Sequence, residues 1–162
     1  MIITDISLKI VQYNMMHDLP SSNFTHNIRS SWIIKITDNH GFIGYGEASP
    51  LPQFNTESLE QSGYCLEGFK LALKDINEDI SLDELLILSN VHTLNVPSAN
   101  FAIQTALYDL LSKKNNQPFS IFVNPNSLTE VQSNGIYKLT SLNQYKVIKV
   151  KCGFRNLYDD ID

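Results

Sequence analysis

Alternation of apolar and polar residues opens the chain. Ile2, Ile6, Leu8 and Ile10 fall on one face of a period-2 strand. Two more β-rich segments, SSWIIKIT (30–37) and GFIGYGEA (41–48), are joined by the turn signal Asp38-Asn39-His40-Gly41. Together the three predict an antiparallel meander. Between the first two lies NMMHDLPSSNFTHN (14–27), polar, with one proline and too long for a tight hairpin, which predicts a loop. From Thr56 the period changes. Leu59, Leu66, Phe69, Leu73 and Ile76 fit one helical face, with Ser58 and Gln61 at capping-box spacing before it. A short second helix opens with the box Ser81 to Glu84, and a third follows Pro97 and Ser98. The third places Phe101, Thr105, Tyr108 and Leu111 on one stripe, with Ala102, Ala106 and Asp109 beside it.

Past KKNNQP (113–118) the pattern returns to short apolar pieces, SIFV (120–123) and NGIYKL (134–139), and then to YKVIKVKCGF (145–154). Strands followed by helices in residues 1–113 predict an α+β domain whose sheet is covered on one face. Residues 114–162 read as a linker and a new beginning. VIKVKC (147–152) is apolar on both sides of its lysines, as a sheet buried on two faces requires, and LYDDID (157–162) has the acidic character of a helix's first turn. A strand leading into a helix is the start of a βα unit. No repeat or low-complexity segment is present.

Composition narrows the function classes. The 162 residues are 43% hydrophobic, enough for a core of ordinary domain size. The net charge is −5 and no basic block occurs, which argues against a phosphate-tracking surface and so against nucleic acid. No apolar run approaches the roughly 20 residues that span a bilayer. The N-terminus alternates where a signal peptide would carry an apolar block, so the expected location is cytoplasmic, away from membranes. Cys65 and Cys152 lack C-x-x-C spacing, and His17, His26, His40 and His92 are scattered, so no metal ligand set is predicted.

Candidate chemistry centres on Lys149 and Lys151. Two residues apart on a strand, they point the same way with Cα atoms roughly 6 to 7 Å apart. By themselves they read first as stems that cover a core while the ammonium heads reach water.

GYGEASPLPQFNTESLEQ (44–61), FAIQTALYDL (101–110) and IKVKCG (148–153), in that order, resemble the N-terminal part of an enolase-superfamily enzyme. Within it the muconate lactonizing subgroup, and there the o-succinylbenzoate synthases, are most similar. The resemblance implies an N-terminal capping domain (a three-stranded antiparallel meander followed by helices) plus the first strand or strands of a (β/α) barrel. Members remove a proton next to a carboxylate and hold the enediolate on Mg²⁺, with a lysine as base. Lys151, second in K-x-K, then resembles that base. Lys149 resembles the neighbour whose like charge makes it harder for Lys151 to stay protonated and which supports the substrate carboxylate.

The resemblance also implies two loops over the barrel mouth, here 15–27 and 49–56, with Pro50, Leu51, Pro52 and Phe54 as an apolar wall against a small-molecule carboxylate substrate. Glu47 and Asp109 are left outside the chemistry, Glu47 as a loop-fixing acceptor and Asp109 as a packing or helix-terminus residue. The first loop departs from many synthases, which carry an arginine there; the nearest here is Arg29. The implied reaction is loss of water to give o-succinylbenzoate in menaquinone biosynthesis, a lyase reaction. Muconate cycloisomerisation and dipeptide epimerisation use the same apparatus. A (β/α) barrel takes about 200 to 250 residues, so the Mg²⁺ carboxylates are not expected in these 162. The chain alone is expected to be a truncated, inactive form that associates through an exposed last strand. A rival reading from another class is a complete, non-catalytic α+β binding module, with its last strand paired into the first sheet.

Overall fold

A computed structural model of the chain describes residues 1–20, 25–137 and 144–150. The chain divides into two compact units: Met1–Tyr13 with Arg29–Ser127, and Asn14–Ile28 with the described residues from Leu128 on.

Strands β1 (Ile3–Pro20), β2 (Thr25–Asp38) and β3 (Ile43–Ala48) form a three-stranded antiparallel sheet in the order β1-β2-β3. The β2/β3 register runs from Trp32 opposite Ala48 to Thr37 opposite Ile43. The turn between them follows its sequence signal. One Asp38 oxygen accepts from the backbone N–H groups of His40 and Phe42, both at 2.9 Å, and Gly41 takes the left-handed conformation at φ 82°.

Helices α1 (Leu59–Leu73), α2 (Leu82–His92), α3 (Pro97–Lys114) and α4 (Phe119–Val123) follow. Both capping boxes form. Ser58 Oγ accepts from Gln61 N–H at 3.1 Å while Gln61 Oε1 accepts from Ser58 N–H at 2.7 Å. Ser81 and Glu84 repeat the exchange at 3.3 and 2.9 Å. The core joins Ile3 and Ile6 of β1, Ile34 and Ile36 of β2, and Ala48 of β3 to the inner faces of α1, α2 and α3. The period-2 rule holds in β3, where Gly44, Gly46 and Ala48 are buried and Tyr45 and Glu47 exposed.

The inner face of β3 is glycine because the α3 backbone lies directly on it. A Cβ on Gly44 would stand 1.9 Å from the Ala106 carbonyl oxygen, and one on Gly46 1.9 Å from that of Ala102. This contact corrects the stripe expected for α3. Its buried face is Ala99, Ala102, Ile103, Ala106, Leu107 and Leu110, whereas Phe101 is 67% exposed. Close helix–sheet approach selects the small residues, so the aromatic turns outward. Ile76, expected on the α1 face, lies beyond the helix and is exposed.

The loop expected over 14–27 is another correction: β1 continues to Pro20 and β2 begins at Thr25. Side chains 11–16 are mostly exposed, Met16 at 93%. With most of side chains 11–16 exposed, that stretch carries no apolar alternation to read.

In the second unit β4 (Gly135–Ile136) and β5 (Ile148–Lys149) pair in parallel, Gly135 opposite Ile148 and Ile136 opposite Lys149. Gly135 N–H donates to Val147 O at 2.9 Å and Tyr137 N–H to Lys149 O at 3.0 Å. Burial of this strand on both faces was expected, yet Val147 and Val150 are 56% and 51% exposed. The strand pairs in parallel in a sheet of its own, as a βα unit requires and the binding-module reading does not.

Candidate active-site elements

The loop after β3 is built to hold one shape. The β2/β3 register ends at Ala48, and Pro50 offers no N–H to extend the ladder. Arg29 takes over there: its guanidinium donates to Ser49 O at 2.5 Å and to Pro50 O at 3.1 Å. Pro50 is buried. A 3₁₀ turn over Pro52–Phe54 follows, with Phe54 N–H on Leu51 O at 2.8 Å and Asn55 N–H on Pro52 O at 3.0 Å. Asn55 closes it in the left-handed region at φ 58°, a conformation asparagine tolerates. Thr56 Oγ1 accepts from Leu51 N–H at 2.8 Å and ties the two ends together.

Of the four wall residues read from the sequence, Pro50 thus sits inside as an anchor, Leu51 is half-buried, and Pro52 and Phe54 face solvent, Phe54 at 54%. Lys149 lies on β5 in the second unit and is exposed. Lys151 and Cys152 lie outside the described residues.

Two carboxylates near β3 are structural. Asp109 on α3 accepts from Tyr45 N–H at 2.9 Å and from Lys113 Nζ at 2.6 Å, and Lys113 also donates to Ile43 O at 2.9 Å. The pair caps open backbone groups of edge strand β3. Asp38, with a fully buried side chain, accepts from Lys114 Nζ at 2.9 Å. Burial pushes its pKa up, but the Lys114 ammonium and the N–H groups of Phe42 and His40 together outweigh it and hold the carboxyl below its ordinary value.

Sequence reasoning missed Glu57. It is 8% exposed, and its Oε1 accepts from Ser98 N–H at 2.6 Å, an anion at the N-terminus of α3 that locks α3 to the loop's far end. A glutamate just before an N-cap serine was the available signal, but it points equally to the glutamate's own helix. Burial, then the Glu57 charge, raises the pKa of Cys65 nearby.

An open depression of about 550 Å³ lined by Met1, His40, Asp79, Ser81 and Lys114 contains none of the expected site residues. No group of three or more His, Cys, Asp or Glu among the described residues is placed to hold a metal ion, so these residues do not fit a Mg²⁺ site. No described helix is long and apolar enough to cross a membrane.

No family model matches the chain. Over 116 residues the chain is 26% identical to the N-succinyl-L-Arg/Lys racemase of Bacillus cereus, a match that takes in 72% of this chain and 31% of the racemase. In structure it is similar to the L-Ala-D/L-Glu epimerase of Bacillus subtilis, solved as a substrate-liganded complex. That likeness has a TM-score of 0.83 at 20% identity, over 99% of this chain and 48% of the epimerase. The dipeptide epimerase of Methylococcus capsulatus, complexed with Mg and the dipeptide L-Arg-D-Lys, gives 0.78 at 21% identity over 94% and 46%.

The chain therefore spans about a third of the racemase and just under half of the two epimerases. Its fold is that of the N-terminal capping part of the enolase/mandelate racemase superfamily. The proteins it is similar to are racemases and epimerases, and none of them is a synthase of the kind the sequence resemblance implied.

Proposed function

We propose that this chain forms the capping part and first barrel strands of a racemase or epimerase that inverts the α-carbon of an amino acid within a dipeptide or N-acyl derivative. The observation that carries this reading is the structural match along 99% of the chain to an L-Ala-D/L-Glu epimerase, joined to the sequence match with a racemase of N-succinyl amino acids. Lys151, the second lysine of the K-x-K run 149–151, is the base that removes the α-proton. Loop 49–56, with Pro52 and Phe54 exposed and Leu51 half-buried, supplies apolar surface for the substrate's distal part. Mg²⁺, present in a structural neighbour, supplies charge neutralisation when bound to such enzymes. The described residues do not fit it.

Dehydration to o-succinylbenzoate is a second reading, carried by the run SPLPQFNTESLEQ (49–61). One experiment separates the two. The product of the complete reading frame is incubated in D₂O with Mg²⁺ and, in turn, dipeptides, N-succinyl amino acids and the cyclohexadiene carboxylate. Deuterium entering the α-position of the first two, with inversion, is the expected result. Aromatic product from the third alone establishes the second reading, and neither reaction overturns both.

A further inference from the structure

We infer that Arg29 is a positioning residue that sets the shape of the loop 49–56 and, through it, the pocket wall; this deepens the reading above and rests on it. Arg29 lies on β2, three residues before Trp32, the residue opposite the last residue of β3. There the backbone ladder has ended, and Pro50 cannot restart it. The guanidinium spans two consecutive carbonyls, Ser49 O and Pro50 O, which no other described hydrogen bond engages. A planar fork fits such a pair, whereas an ammonium is a single point. Arg29 is half-buried and Pro50 is buried, so the clamp sits at the root of the loop, just before the turn Pro52–Phe54. Thr56, bonded to Leu51 N–H, closes the other side.

With both Nη atoms occupied by main-chain oxygens, Arg29 is not poised to grip a substrate carboxylate. It acts through Leu51, Pro52 and Phe54, and so selects among distal groups without touching them.

The unmodified 162-residue chain tests the clamp first. Held by two carbonyls, the guanidinium rotates slowly, and its Nη protons give separate resonances at low temperature in a ¹⁵N–¹H spectrum. A single averaged signal from Arg29 overturns the clamp without any substitution. In Arg29→Met, hydrogen exchange of the Phe54 and Asn55 amides accelerates about tenfold, while the Ile34 and Ile36 amides keep their rates. Arg29→Lys gives an intermediate acceleration. Unchanged Phe54 and Asn55 amides in Arg29→Met also overturn the proposal.

In the complete protein, Arg29→Lys shifts the kcat/KM ratio between substrates with different distal groups by about tenfold through KM, with kcat within about twofold. A clamp seen by spectroscopy with no such shift leaves the loop's stiffness intact and overturns its role in selectivity. Absence of any α-proton exchange in the unsubstituted protein overturns the functional reading instead.

Discussion

Asp109 on α3 accepts the backbone N–H of Tyr45 on β3 at 2.9 Å, and so fastens the third helix to the edge of the sheet. Lys113 completes the fastening: it pairs with Asp109 at 2.6 Å, donates to Ile43 O and lies 5.4 Å from the centroid of the Tyr45 ring. Asp109→Ala removes the acceptor and is expected to cost about 1 kcal/mol in urea unfolding. Asp109→Asn keeps an acceptor but loses the charge, and the exposed pair is worth about 0.5 kcal/mol. Equal losses for the two variants would show that the ion pair, and not the bond to Tyr45, matters.

Gly44 is the stricter site. A methyl group there meets the Ala106 carbonyl at 1.9 Å and the Leu110 backbone nitrogen at 2.7 Å, neither of which moves without displacing α3. Gly44→Ala is expected to cost about 3 kcal/mol or more. The outward Glu47→Ala, two positions from Tyr45 on the exposed face, stays within about 0.5 kcal/mol. A Gly44→Ala midpoint within error of the parent would contradict the close approach.

Asp38 gives the chain an acid limb. Its folded pKa is depressed, so between the folded and unfolded values the unfolded chain binds the extra proton. The stability it contributes is complete above the ordinary carboxylate pKa of about 4 and is lost as pH falls through the folded value. Asp38→Asn is expected to lower stability at pH 7 and to flatten the decline below pH of about 4. Exposed Asp79 and Glu84 are also shifted down, Asp79 by its hydrogen bond with the N-terminal ammonium and Glu84 by the Ser81 hydroxyl and N–H, but solvent screens them. An unchanged acid limb in Asp38→Asn assigns it to other groups.

What the sequence made legible follows where burial writes itself into residue choice. Ile34 and Ile36 alternate because one face of β2 is covered, and both capping boxes were readable because their partners lie three residues apart. The continuation of β1 to Pro20 was not readable, because mostly exposed side chains such as 11–16 carry no apolar period. The α3 stripe was misread for a tertiary reason: the partner surface is glycine, so alanine faces it and Phe101 does not. At the candidate site, the Pro-rich loop was visible as a breaker. The Arg29 clamp and the Glu57 cap, which join residues 20 to 41 positions apart, carry no local signature.

Exchange of the substrate α-proton tests the assignment of Lys151 as the base of an α-carbon racemase or epimerase. Measured by NMR in D₂O on the product of the complete reading frame, Lys151→Ala is expected to lower exchange of the dipeptide or N-succinyl amino acid by about 10² to 10⁴-fold. Circular dichroism is expected to stay unchanged. Exchange in Lys151→Ala at the rate of the unsubstituted protein would contradict the assignment of the base and, with it, the chemistry proposed for this chain.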